Sequence, residues 1–208
     1  MNFSKVFILF LLLLLPGCGC KDSEIITVLL SEEFKRYTDF PAGSWWVYEK
    51  IDEPEVTDSI YIYRNIQVIK SQRDECEDYE KLVLNAVRIN SGMVDTIIYE
   101  IFPRPPIDPG NPKYYLFYIV IAKGIWNQDL LFFPNEIGEK SEFQSNFEII
   151  EKAQDIIVNG NKYTETITTF HLFEKFVISE TYAQDVGVIR RVYRDSSIYE
   201  LKSYFINK

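Results

Sequence analysis

The chain is 208 residues long and acidic: 31 Asp and Glu residues against 22 Lys and Arg residues give a formal net charge of −9 at pH 7. This length is enough for one domain with a sizeable core. Nucleic acid is not an expected partner, because the one basic cluster is Arg190 and Arg191 with Arg194, and neighbouring strand residues point to opposite faces. One histidine and three cysteines are too few for a zinc site built from several such ligands, and no cofactor is predicted.

The N-terminus has the pattern of a secretory signal, in which a basic start precedes the apolar residues 6–15. This run is too short for a membrane-spanning helix, which needs about 20 residues. It ends in Leu15, Pro16, Gly17 and Cys18, which resemble the lipobox of bacterial lipoproteins. The resemblance implies a signal peptide over residues 1–17 and a lipid anchor, such as palmitate, on Cys18, with Cys20 as the alternative acceptor.

Residues 18–30 are then a lipidated tether, and residues 31–208 form the domain. Residues 21–24, Lys-Asp-Ser-Glu, resemble the basic-then-acidic tag that follows the lipidated cysteine in surface-exported lipoproteins of the Bacteroidota. This implies an outer-membrane lipoprotein on the cell surface. The alternative is a plain solvated tether on a protein that faces the periplasm.

The first regular element after the tether is a short helix over residues 31–37. Ser31 is a suitable N-cap, and Glu32 and Glu33 place negative charge in the first turn. A helix this short is marginal alone, so we expect it to dock on the domain through Phe34 and Tyr37.

From Ser44 onward the apolar residues recur with a period of two, which predicts β-strands. In residues 60–68 the isoleucines and Val68 take one face, while the other face carries Tyr61, Tyr63, Asn65 and Gln67. Strands are predicted over residues 45–48, 60–68, 82–89, 94–102, 113–123, 143–158, 162–173, 175–183, 188–193 and 198–206.

The segments between these strands are mostly short turns. Asn90-Ser91-Gly92 predicts a hairpin, and Asn159-Gly160 predicts a type I′ hairpin turn. Residues 103–112 are a proline-rich loop, and residues 124–138 are interpreted as irregular. Successive strands with short turns predict a single antiparallel meander sheet.

Two segments resemble uncharacterised lipoproteins of the Bacteroidota. Residues 40–48, with Pro41, Gly43, Trp46 and Tyr48, are similar to their opening, and residues 182–204 are similar to their closing pair of strands. The resemblance implies a mainly β fold, curved like a half-barrel, and carries over no catalytic residue. Gly187 lies in the closing segment, where we expect a bend with a positive φ, since glycine tolerates it.

Catalytic chemistry has little support in the sequence. His171 is the only histidine and lies in a predicted strand, and Cys76 stands among four acids that disfavour a thiolate. The acids of residues 52–58 and 74–80 are candidates for a calcium site, against the interpretation as solvated loops, and neither has EF-hand spacing. The alternative to a non-enzymatic protein is a glycan- or lipid-acting hydrolase that uses a carboxylate pair.

Aromatic residues suggest a binding face. Trp45 and Trp46 point to opposite faces, so at most one enters a given core. The ligand-binding candidates are Trp45, Trp46, Tyr61 and Tyr63, and core or strand-surface packing is the alternative role. The sequence thus predicts a membrane-anchored envelope lipoprotein that acts as a binding or structural module, with a glycan, a lipid or a protein as ligand.

Overall fold

The computed structural model describes residues 25–72, 77–90, 92–104, 115–122, 125–129, 147–171 and 177–208. In these residues the fold is mainly β: a single curled, open sheet forms a half-barrel, and one short helix accompanies it. The predicted fold class is therefore confirmed.

The described residues form one helix and twelve strands. The helix is α1, Glu32–Thr38, and the strands are β1 Ile26–Val28, β2 Trp45–Lys50, β3 Glu53–Gln72, β4 Glu77–Asn90, β5 Met93–Arg104, β6 Tyr115–Ala122, β7 Ile125–Asp129, β8 Phe147–Val158, β9 Asn161–His171, β10 Val177–Ala183, β11 Gly187–Tyr193 and β12 Ile198–Phe205.

The sheet consists of two antiparallel meanders joined at its centre. Strands β2 to β7 form one meander and strands β8 to β12 form the other. The two meet where β12 pairs with β2, so the spatial order is β7-β6-β5-β4-β3-β2-β12-β11-β10-β9-β8. Strand β1 lies outside this order and pairs in parallel with the start of β4. The first and last long strands thus lie side by side in the middle of the sheet.

Helix α1 begins and docks as the sequence predicts. The Ser31 side chain accepts a hydrogen bond from the Phe34 amide over 3.2 Å, which caps the helix. Phe34 is 0% exposed, and Tyr37 is also buried. Both belong to the core on the concave face of the sheet, together with Trp46 and Tyr48 of β2. Burial of this apolar side, rather than the propensity of seven residues, stabilises the helix.

A buried carboxylate fixes the entry to the helix against β4. Glu80 accepts from the Leu30 amide over 2.8 Å and from the Gln67 side chain, and Lys35 Nζ lies 3.0 Å from it. Because an unpaired carboxylate would be costly to bury, these contacts are needed to keep Glu80 inside the protein.

The predicted turns are confirmed by their backbone angles. Asn159 and Gly160 have φ values of 45° and 75°, as a type I′ turn requires. Gly92 has φ 81° in the hairpin between β4 and β5. Gly187 has φ 91°, so it begins β11 with the bend that the sequence predicts.

Two boundary predictions are wrong. The predicted tether extends to residue 30, but residues 26–28 already form β1, and Leu30 is buried in the core. Residues 125–129, interpreted as irregular, form β7, in which Ile125 pairs with Ala122 of β6. Both strands are short and depend on a neighbouring strand for their hydrogen bonds, so the local sequence carries little signal for them.

Several predictions fall wholly or partly outside the described residues. The signal peptide, Cys18, Cys20 and Cys76 lie outside them, as do residues 105–112 of the proline-rich loop. His171 is the last residue of β9.

Candidate functional site: an aromatic row on the convex face

The structure brings two of the predicted aromatic residues together and adds a third. Trp45 of β2 pairs directly with Tyr61 of β3 on one side and with Phe205 of β12 on the other. Tyr61 in turn pairs with Val87 of β4. Directly paired residues share a face and have Cβ atoms about 4.5–5.5 Å apart. Phe205, Trp45, Tyr61 and Val87 therefore form a continuous band across four strands, which we call the convex row.

The convex row faces away from the core. Phe205 is 50% exposed and Tyr61 is 48% exposed, while Trp45 and Val87 are partly exposed. Two residues beyond Val87 on β4, Ile89 pairs with Val94 of the neighbouring strand β5, and both side chains are exposed. A contiguous apolar surface of this kind is typical of an interaction site, whereas single exposed apolar residues are ordinary.

Tyr63 also belongs to this exposed surface, but its continuation is not as predicted. A β-bulge lies between Ile62, which pairs with Ala86, and Arg64, which pairs with Asn85. Tyr63 is the additional residue and is 46% exposed. An added residue inverts the alternation of faces beyond it.

As a result, Asn65 and Gln67 do not continue the row of Tyr61 and Tyr63. Asn65 pairs with the buried Leu84 and donates to Asp39 Oδ1 over 2.7 Å, and Gln67 pairs with the buried Leu82. Their side chains secure the segment around α1 on the concave side. The prediction of one four-residue polar and aromatic face is wrong, because the sequence gives no sign of the bulge.

Trp46 occupies the core instead of the surface. It is 5% exposed, and its Nε1 donates to the Val186 carbonyl over 2.6 Å. Its ring packs edge-on against Phe40 with a centroid distance of 5.0 Å. Since the side chain is enclosed on the concave face, the binding candidates at the surface are Trp45, Tyr61 and Tyr63.

Of the acids considered for metal or carboxylate chemistry, Asp74 and Glu75 lie outside the described residues, and the described ones are dispersed. Asp52, Glu53 and Glu55 are exposed, whereas Asp58 is fully buried, and Glu80 is held beside α1. In the parts of the chain that the structure describes, no three His, Cys, Asp or Glu side chains converge as a metal site would need.

A buried ionic cluster, which sequence reasoning missed, lies beneath the central strands. Arg88 donates from Nε to Asp58 Oδ1 over 2.8 Å, and Arg191 donates from Nε to Glu180 Oε1 over 2.9 Å. Tyr182 donates to the other Glu180 oxygen over 2.6 Å. Breaking such a pair is costly because the remaining charge is left buried.

The positive charge of Arg88 in this cluster is stabilised by the neighbouring Asp58. Burial is the largest single influence on Arg88 and opposes its charge, but the hydrogen bond and the negative charge of Asp58, together with Tyr193, outweigh it and raise the pKa of Arg88. Burial raises the pKa of Tyr99 to about 12, so this phenol stays neutral. Asp58 and Glu180 are thus engaged by arginines in the interior.

Comparison with known proteins gives no match: no family model, curated protein or solved structure matches this chain. None of the helices in the described residues has the length and apolar character needed to cross a membrane.

The functional interpretation of this protein depends on the convex row. Phe205 was not predicted to belong to it, because only the pairing of β12 with β2 brings this residue beside Trp45.

Proposed function

We propose that the protein is a membrane-anchored lipoprotein of the bacterial cell envelope and acts as a non-enzymatic binding module through its convex row. The single observation that carries the binding role is the direct pairing of Phe205, Trp45 and Tyr61 across three strands, all at least partly exposed. Aromatic side chains supply large apolar contact area, and tyrosine and tryptophan add a polar group at the edge. A row of side-chain rings of this kind suits a glycan ring or a protein surface.

The anchor is supported by the sequence of the N-terminus. If Cys18 carries the lipid, seven residues separate it from Ile26, where β1 begins. Seven residues span at most about 25 Å when fully extended. The lipid would therefore keep the sheet close to the envelope membrane, and stable anchoring needs two or more acyl chains.

Binding through the convex row is tested by removing its rings. In Tyr61→Ala/Tyr63→Ala and Trp45→Ala variants, binding to a glycan array or to a purified envelope partner should weaken by at least about tenfold, as for central interface aromatics. The melting temperature should stay nearly unchanged, because these side chains lie outside the core.

Tyr204→Ala is the matched control. Tyr204 is also an exposed tyrosine, but it pairs with Trp46 and so belongs to the opposite face of β12. This variant should bind like the unmodified protein. Binding that survives loss of the row, or that falls equally in Tyr204→Ala, would reject the convex row as the site.

A further inference from the structure

A polar cleft lies on the other side of the molecule, between α1 and the hairpin of β8 and β9. Its volume is about 520 Å³, within the usual range of about 300–1,000 Å³ for small-ligand sites. Helix α1 contributes Glu33 and Arg36, the hairpin contributes Lys152 and Glu165, and Gln184 lies after β10. No residue of the convex row lines it, so this cleft is a separate candidate site.

Two of its four charged groups are already compensated. Arg36 donates from Nε to Asp185 Oδ1 over 2.9 Å, and this hydrogen bond raises the pKa of Arg36. The Gln184 amide lies between Arg36 and Glu165, and its hydrogen-bonding surroundings assign its oxygen to the Arg36 side, 2.6 Å from Nη1, and its nitrogen to the Glu165 side. Arg36 and Glu165 are therefore joined through one amide.

The other two charged groups remain open to a ligand. Glu33 and Lys152 are both exposed and lie on different walls of the cleft. Within the described ranges, neither forms a hydrogen bond or an ion pair. The cleft thus presents one uncompensated carboxylate and one uncompensated ammonium group.

The backbone of the cleft is held in an unusual conformation. Glu165 has φ 50° although it lies within β9 and is not glycine. The Tyr37 hydroxyl donates to the Glu165 carbonyl over 2.9 Å. Burial raises the pKa of Tyr37 to about 12, so this donor keeps its proton. Non-glycine residues with positive φ cost free energy and concentrate at functional sites.

We propose that this cleft binds a short peptide with free termini, whose ammonium group pairs with Glu33 and whose carboxylate pairs with Lys152. A ligand with one charge would leave either Glu33 or Lys152 uncompensated, and a multiply charged anion would be repelled by Glu33. A zwitterion satisfies both open groups, while Arg36, Gln184 and Glu165 supply further hydrogen-bonding atoms between them.

The test uses the full chain in detergent and trialanine as the probe, with binding measured by isothermal titration calorimetry. N-acetyl-trialanine lacks the ammonium group, and trialanine amide lacks the carboxylate. Each capped peptide should bind about two- to fivefold more weakly, because ion pairs with exposed side chains are screened by water. In Glu33→Gln, acetylation should no longer matter; in Lys152→Met, amidation should no longer matter.

Matched controls lie beside each position. Glu32 shares the first turn of α1 but pairs with Lys35, and Lys162 of β9 pairs with Asp155 over 3.0 Å. Glu32→Gln and Lys162→Met should bind trialanine like the unmodified chain. The proposal is overturned if trialanine does not bind at up to about 10 mM, ten times a millimolar Kd. It is also overturned if capping has no effect, or if the control variants weaken binding as much as the cleft variants.

Discussion

Gly187 is the position where one added methyl group should disturb the fold most clearly. Its φ is 91°, a conformation that side-chain-bearing residues rarely adopt. A Cβ atom built there would lie 3.1 Å from both Cε2 and Cζ of Phe40, and 3.7 Å from Trp46 Nε1. The neighbouring carbonyls are fixed as well, because Val186 accepts from Trp46 and Val188 accepts from Tyr48. The backbone therefore has little freedom to relax.

The expected magnitude has two parts. Forcing an L-residue into a left-handed conformation costs about 1–2 kcal/mol, and overpacking against Phe40 adds about 1–3 kcal/mol. Gly187→Ala should thus lower the free energy of unfolding by about 2–5 kcal/mol, and Gly187→Val by more, since its side chain is branched at Cβ. For a chain of this size, 2–5 kcal/mol corresponds to a fall in Tm of roughly 4–20 °C.

Urea and thermal unfolding followed by circular dichroism measure this difference. Gly160→Ala is the control: Gly160 has φ 75°, but nothing lies within 4 Å of its added Cβ. Gly160→Ala should show the free-energy cost of the positive φ without the cost of overpacking. In a Phe40→Leu background, Gly187→Val should be less destabilising than in the unmodified protein. Equal losses for Gly187→Ala and Gly160→Ala would refute the packing argument, and an unchanged Tm in Gly187→Val would refute both parts.

Three further predictions address the ionic cluster, the anchor and the pH dependence. Asp58→Asn should destabilise the protein by about 3–5 kcal/mol in urea unfolding, because it removes the negative charge shared by the partly buried Arg88 and the buried Arg191. A loss near zero would show that this charge is not needed. Cys18→Ala should abolish metabolic lipid labelling and release the protein into the soluble fraction, whereas persistent labelling would move the acceptor to Cys20. The hydrogen bond from Arg36 lowers the pKa of Asp185. The stabilisation from this pair should therefore be present above the unfolded pKa of about 3.9 and fade as the pH falls through the lower folded pKa. Asp185→Asn should flatten this part of the plot of stability against pH, and an unaltered plot would contradict the role of the Arg36–Asp185 pair.

Local features of this protein could be predicted from the sequence. Ser31 with two following acids marks the start of α1, and Asn159-Gly160 marks a type I′ turn, because each depends on residues within one turn of chain. The period-two pattern predicts strands for the same reason. The bend at Gly187 is also local, since φ is a property of one residue.

Only the tertiary structure decided which strands are neighbours and which side chains share a surface. Phe205 lies beside Trp45 because β12 pairs with β2, and the two residues are at opposite ends of the domain sequence. The bulge between Ile62 and Arg64 decided which face Asn65 takes, since one additional residue inverts every later side chain. Long-range pairing register leaves almost no signature in a single strand, so the convex row, the buried ionic cluster and the polar cleft emerge only in the folded chain.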